Sequence, residues 1–330
     1  MSSTQADPLV LPDAAPKSTP TPTPTPTPTA MATATGTATG GDYPEHLRLM
    51  ADAYLAGIVF SGGEGLGGLE EAMRYSLLAP GKRIRPVLAL ATAGALEVDC
   101  ESVLPLAGAL ELIHTYSLIH DDLPAMDDDG LRRGRPTCHV AFGENVAILA
   151  GDALYAEAFH HLLVHQAAPP ARLLAAVTRL VAATGVDGMV GGQYLDVTGR
   201  GEPGPDGLRR LHALKTGELI AASVDCVLLL MGVDEPAKIH YGHFAAELGV
   251  LFQIVDDILD VTGTDAALGK PSGSDERHGR RTYVTEHGLD GARALAASSH
   301  ANARRALAAA APGGARELQQ ITDLIFTRTS

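Results

Sequence analysis

The chain has 330 residues, 45% of them hydrophobic, with no Trp and a formal net charge of −14. Its apolar content comes from Ala, Leu and Gly rather than aromatics, which favours closely packed helices over a sheet sandwich. The acidic balance excludes nucleic-acid binding as the main task, because a duplex binder needs a cationic footprint.

Residues 1–41 form a low-complexity tail. Thr19 to Thr29 alternates strictly between Thr and Pro, and an Ala/Thr/Gly tract follows through Gly41. Alternating Pro fixes φ and removes amide donors, so an extended or disordered tail is expected here and a folded domain over 42–330. The tail contains no Arg and carries Asp7 and Asp13, which fits a transit peptide poorly. It also lacks a basic segment followed by an apolar one, and no uninterrupted apolar run reaches membrane-spanning length, so neither a secretory signal nor a span is expected. Cys100, Cys138 and Cys226 are widely spaced with no CxxC pair. A disulfide framework or zinc site is therefore not expected, and a reducing, cytoplasmic setting fits.

From Tyr43 onward the pattern is helical. Apolar residues recur at three- and four-residue spacing in Leu69–Leu78, Val103–Ile119 and Leu173–Val186. Breaks fall at Pro80-Gly81, at Pro169-Pro170, and in the Gly199–Gly207 and Gly263–Gly279 stretches. No strand-like alternation and no fixed-period repeat is present. The expected fold is all-α, a single bundle of ten or more helices.

Two acidic clusters stand out. The first, His120-Asp-Asp-Leu-Pro-Ala-Met-Asp-Asp-Asp, closes the apolar helix Val103–Ile119. His114, Ser117 and Asp121 share a face at i, i+3 and i+7. Pro124 cannot continue the helix, and a turn there would fold Asp127 back towards Asp121. In the second cluster Gln253, Asp256, Asp257 and Asp260 form one polar stripe on an otherwise apolar helix. Two carboxylates about 4 Å apart repel by roughly 4 kcal/mol at an effective dielectric near 20. Such clusters in a partly buried cavity need counterions, and an all-oxygen donor set suits Mg²⁺.

Cations answer the acids. They occur in Gly81-Lys-Arg-Ile-Arg-Pro86, in Arg132-Arg133, at Lys215 and at Lys270. Any one alone reads as a solvated surface feature, but together with the acidic clusters they describe a polyanion site. His114 reads as a diphosphate contact, whereas His120, His139 and His212 read as structural. Gln193 and Asp196 share a face, and either line the cavity or form a buried hydrogen-bonded pair.

The string from Glu111 to Asp129 resembles the first aspartate-rich motif of the trans-isoprenyl diphosphate synthases, in its longer bacterial form. Phe252-Gln-Ile-Val-Asp-Asp-Ile-Leu-Asp resembles the second. The resemblance runs from about Glu70 to about Gly288 and is to the bacterial-type farnesyl and geranylgeranyl synthases. It implies an antiparallel helical bundle around a deep central cavity, normally a homodimer. It implies that Asp121, Asp122 and Asp127 bind two Mg²⁺, and that Asp256, with Asp257 and Asp260 nearby, binds a third. Lys82, Arg85, His114 and Arg133 would hold isopentenyl diphosphate, and Arg132, Lys215 and Lys270 the allylic diphosphate. Thr216 and Gln253 would lie near the reacting carbons. Many members carry a Lys where this chain has Arg280, which keeps the charge but not the shape.

The implied reaction ionises the allylic C–O bond, and the isopentenyl double bond attacks the cation. A proton then leaves to the departed pyrophosphate. Tyr116, with Ser117 beside it, resembles the aromatic floor that stops farnesyl synthases at fifteen carbons, so farnesyl diphosphate is the expected product and geranylgeranyl diphosphate the alternative. A class I terpene cyclase would normally mix Asn, Ser or Thr and Glu in its second motif, and a non-catalytic partner subunit would have eroded motifs. Neither description matches Asp256-Asp-x-x-Asp260.

Overall fold

In the computed structural model of the protein, residues 43–60, 63–263 and 279–328 are described. The helices are α1 (Glu45–Gly57), α2 (Gly67–Leu77), α3 (Ile84–Ala95), α4 (Leu104–Asp121), α5 (Cys138–Phe142), α6 (Glu144–His165) and α7 (Pro170–Thr184). They continue with α8 (Met189–Thr198), α9 (Gly204–His212), α10 (Glu218–Met231), α11 (Glu235–Thr262), α12 (Tyr283–Ala310) and α13 (Arg316–Thr327). The expected helical class and the three periodic stretches are all present. Three of the breaks fall as read: Pro80-Gly81 separates α2 from α3, Pro170 opens α7, and α8 ends before Gly199; the Gly263–Gly279 stretch lies, between its two ends, outside the described residues.

Local chemistry sets the ends. A 3₁₀ turn at Cys100–Val103, where the Asp99 carboxylate accepts from the Glu101 N–H at 3.0 Å, leads into α4 with Pro105 in its first turn. Thr282 and Thr285 form a reciprocal capping box at the start of α12.

The core is built from α3, α4, α10 and α11. Val87–Leu90, Leu106–Ile113, Leu219–Leu228 and Phe244–Ile258 supply many of its fully buried side chains. Each such Leu or Ile contributes about 1.5–3 kcal/mol of burial free energy. Helix α4 lies against α6 and α3, while α10 packs on α7, α3 and α11. Helix α12 runs along α11.

Two features add to the sequence expectations without overturning them. A short hairpin is present, with β1 (Leu131–Arg132) paired antiparallel to β2 (Arg135–Pro136). Its two tip residues, Arg133 and Gly134, both have positive φ (54° and 73°), as a tight hairpin turn demands. Two residues per strand are too few to show alternation. Secondly, the helical stretches Cys100–Asp121 and Pro170–Thr198 are long and apolar enough to cross a membrane by length and composition. The first is a core element of this bundle, 61% buried within it, and the second is interrupted between α7 and α8.

Candidate active site

The first acidic cluster is shaped by the turn that Pro124 forces. Asp121 is the last residue of α4, and the chain then reverses. The Met126 N–H donates to the Leu123 carbonyl at 2.8 Å, and the Asp127 N–H to the Asp121 carbonyl at 2.9 Å. Asp127 is thereby folded back beside Asp121, as the proline predicts. Gln193 Nε2, on α8, donates to Asp121 Oδ1 at 2.9 Å. Burial pushes the Asp121 carboxyl up to about 6, and repulsion from Asp127 and Asp122 adds to it against the pull of Lys215 and Arg132.

Asp122 is buried and bound by the hairpin. Arg132 Nε reaches its two oxygens at 2.7 and 2.9 Å, and Arg132 also approaches Asp129 at 3.7 Å. Burial raises the Asp122 carboxyl, opposed by that guanidinium. Arg280 pairs with Asp127 and lies 3.5 Å from Asp196.

Lys215 and Thr216 sit on a π-helical turn, Ala213–Gly217, between α9 and α10. Such turns widen the helix locally and re-aim side chains. Here Lys215 Nζ meets Asp196 Oδ2 at 2.5 Å and the Thr216 hydroxyl donates to Gln253 Oε1 at 2.9 Å. Gln193 and Asp196 therefore do not pair with each other: the first serves Asp121 and the second Lys215. Burial alone would raise Asp196, but Lys215, Arg280 and His212 outweigh it and hold the carboxyl below its usual range.

The second cluster divides. Asp256 is exposed, whereas Asp257 and Asp260 are buried. Asp257 accepts from Gln253 Nε2 at 2.7 Å through Oδ1 and from the Tyr283 N–H at 2.7 Å through Oδ2. Oδ2 thus joins α11 to the start of α12, while Oδ1 is held within α11 by Gln253.

The cations form a separate group. Arg85 is buried, its Nε has no hydrogen-bond partner among the described residues, and burial brings its guanidinium down to about 10. Burial, then Arg85 and Arg133, hold the His114 imidazole well below its usual range. Arg133, Arg132 and Asp122 line one small cavity with Thr115 of α4. Lys82 is exposed on the loop before α3, and Lys270 lies outside the described residues.

Tyr116 is almost buried, and its ring packs edge-on against Tyr155 of α6 at 4.9 Å and His120 at 5.8 Å between centroids. Ser117 donates its hydroxyl back to the His114 carbonyl at 2.9 Å.

The polyprenyl synthetase family model matches residues 67–321, a span that holds both acidic clusters and the candidate cations. The chain belongs to this family. Farnesyl diphosphate synthase of Geobacillus stearothermophilus is 45% identical over 268 residues, covering 80% of this chain and 90% of that protein. Geranylgeranyl pyrophosphate synthase 7 of Arabidopsis thaliana is 47% identical over 227 residues, covering 67% of this chain and 65% of that protein. The crystal structure of a Helicobacter pylori geranyltransferase complexed with magnesium and isoprenyl diphosphate superposes with a TM-score of 0.76 at 31% identity, covering 86% of this chain and 95% of that one. As a polyprenyl synthetase this protein is a prenyltransferase that condenses prenyl diphosphates, and its helical bundle is the isoprenyl synthase fold.

The residues of this polyprenyl synthetase fit magnesium. The two clusters offer carboxylate oxygen only, and the raised Asp121 marks a place where a cation would relieve repulsion. Among the described residues no three His, Cys, Asp or Glu side chains already converge as a metal cluster. A hard cation here would complete its shell with water and substrate phosphate, as Mg²⁺ does.

Proposed function

We propose that this enzyme joins isopentenyl diphosphate head-to-tail to dimethylallyl or geranyl diphosphate and releases mainly farnesyl diphosphate. The observation that carries this reading is the pairing of two acidic clusters with a separate cation group centred on buried Arg85, whose Nε has no hydrogen-bond partner among the described residues. One set suits a metal-bound diphosphate and the other a diphosphate held by cations directly.

Asp121, Asp122 and Asp127 would hold two Mg²⁺ on one wall. Asp256, flanked by Asp260, would hold a third on the other, with Asp257 mainly shaping that wall through its hydrogen bonds. Magnesium, when bound, would draw charge from the allylic diphosphate and ease loss of the leaving group. Arg132, Lys215 and Lys270 would receive that diphosphate, and Arg280, already beside Asp127 and Asp196, joins them. Lys82, Arg85, His114 and Arg133 would orient isopentenyl diphosphate. Thr216 and Gln253 keep a hydrogen-bonded polar edge beside the reacting carbons. The chemistry rests on positioning and fixed charge within apolar walls that exclude water.

The Tyr116 ring, backed by Tyr155, supports a fifteen-carbon stop, as does the similarity to the Geobacillus enzyme. The similarity to plant geranylgeranyl synthases favours a twenty-carbon product as the second reading. Exposed Ile148, Leu149, Leu163 and Val164 on α6, with Leu174 and Val181 on α7, give an apolar face that a homodimer would bury. The three free cysteines fit a reducing cytoplasm.

Product analysis tests the reading. Protein is incubated with isopentenyl diphosphate and dimethylallyl, geranyl or farnesyl diphosphate, with and without Mg²⁺. A Mg²⁺-dependent fifteen-carbon product from the two shorter primers is expected. A twenty-carbon product removes the Tyr116 floor and keeps the reaction, whereas no product from any primer removes the reaction.

A further inference from the structure

The Gly81–Pro86 segment carries three cations, and only Lys82 and Arg85 belong to the expected diphosphate group. Arg83 turns inward. Its side chain is 3% exposed, and it donates through Nη1 to Glu111 Oε1, through Nε to Asp52 Oδ1 and through Nη2 to the Ala79 carbonyl, each at 2.8 Å. Its backbone is left-handed, with φ 52°, immediately before α3. An L-residue avoids that region, so the contacts of the side chain must hold it there.

Glu111 is the far end of this clamp. It is 2% exposed on α4, one turn before His114. Its second oxygen, Oε2, is buried without a hydrogen-bond partner among the described residues. Its charge also acts on Arg85 and Arg133. The Arg133 guanidinium lies within 2.4 Å of where a Cβ on Gly81 would sit, so it reaches over the same loop. Tyr43, just before α1, donates its hydroxyl to the Lys82 carbonyl, which ties the loop from the other side. One buried carboxylate therefore contacts Arg83 and acts by its charge on Arg85 and Arg133. Even with Asp52 counted, two carboxylates stand against three guanidiniums, so positive charge is left in excess, and burying the donor Arg85 Nε without a hydrogen-bond partner among the described residues is costly without an incoming anion.

We propose that Glu111 is a positioning residue for the isopentenyl diphosphate pocket. Through Arg83 it locks the bend that points Lys82 and Arg85 towards the substrate, while its charge keeps Arg85 and Arg133 gathered beside His114. This rests on reading those four cations as the isopentenyl diphosphate site. Asp52, on α1, is the second anchor of the same lock, and it touches none of them.

Steady-state KM for each substrate, kcat and Tm are measured for wild type, Glu111→Gln, Glu111→Asp and Asp52→Asn. Losing one buried charge-assisted contact should raise KM for isopentenyl diphosphate about tenfold or more in Glu111→Gln, with the allylic KM within about twofold. Glu111→Asp should recover part of the loss, and Asp52→Asn should show a smaller rise with the same selectivity. An unchanged isopentenyl diphosphate KM in Glu111→Gln, or an equal rise in both KM values, overturns the proposal. If Glu111→Gln does not fold, Asp52→Asn decides: no selective rise there overturns it. Wild-type turnover tests the proposed reaction separately, because failure of condensation would appear before any variant is compared.

Discussion

Helix α8 reaches the π turn only because residue 192 is glycine. A Cβ built there would lie 2.2 Å from the Lys215 nitrogen and 2.6 Å from its Cα, both backbone atoms that cannot swing aside. An ordinary contact needs about 3.4 Å, so Gly192→Ala must part the two elements by about 1 Å at a cost of about 1–3 kcal/mol. The contacts that bridge this seam, Lys215–Asp196 at 2.5 Å and Gln193–Asp121 at 2.9 Å, would stretch by a similar amount. A misplacement of about 1 Å can lower a rate about 100-fold. Turnover with saturating isopentenyl and geranyl diphosphates should therefore fall by about that factor, with Tm lower by several degrees. Gly68→Ala on α2, where nothing lies within 4 Å of the added methyl, is the control and should leave turnover unchanged and Tm equal or slightly higher. Wild-type rate and Tm in Gly192→Ala would refute the reasoning.

Neighbouring aspartates should behave differently. Asp256→Asn, at an exposed position, should abolish most Mg²⁺-dependent turnover at unchanged Tm. Asp257→Asn cannot accept from both Gln253 and the Tyr283 N–H, and urea unfolding should show a loss of about 1–3 kcal/mol. Equal stability of the two variants would count against this division. Tyr116→Ala should lengthen the product beyond fifteen carbons in a radiolabelled chain-length assay; an unchanged product would remove the ring from that role. His212 is stacked on Tyr283, faces Asp196, Lys215 and Arg281, and has both ring nitrogens buried without hydrogen-bond partners among the described residues. Burial brings its imidazole down to about 4, so the fold prefers it neutral. Its contribution is complete above about pH 6.5 and fades as pH falls towards 4, a loss of about 2 kcal/mol by pH 5. His212→Phe should therefore unfold in urea with less dependence on pH between 7 and 5 than wild type, and identical slopes would refute it.

Several features of this protein are written in local sequence. Spacings of three and four residues made the helices, Pro124 returned Asp127 to Asp121, and the two Asp clusters carried the resemblance to the family. These are short-range matters: backbone sterics and the 3.6-residue period act within a few residues. Neighbours across helices are another matter. Asp256 and Asp257 are adjacent in sequence, yet one faces outward while the other joins α11 to α12. Arg83 and Arg85 lie in one tripeptide, yet one is spent on Glu111 and Asp52 while the other keeps a buried Nε without a hydrogen-bond partner among the described residues. Gln193 and Asp196 share a helix face and still serve different partners, Asp121 and Lys215. The Arg133-Gly134 hairpin was missed because its ladder is two residues long, and its signal was the glycine at the tip. A helix face can be read from periodicity, but the residue opposite it depends on how α4, α8, α10 and α11 pack, and that is decided by burial over the whole chain.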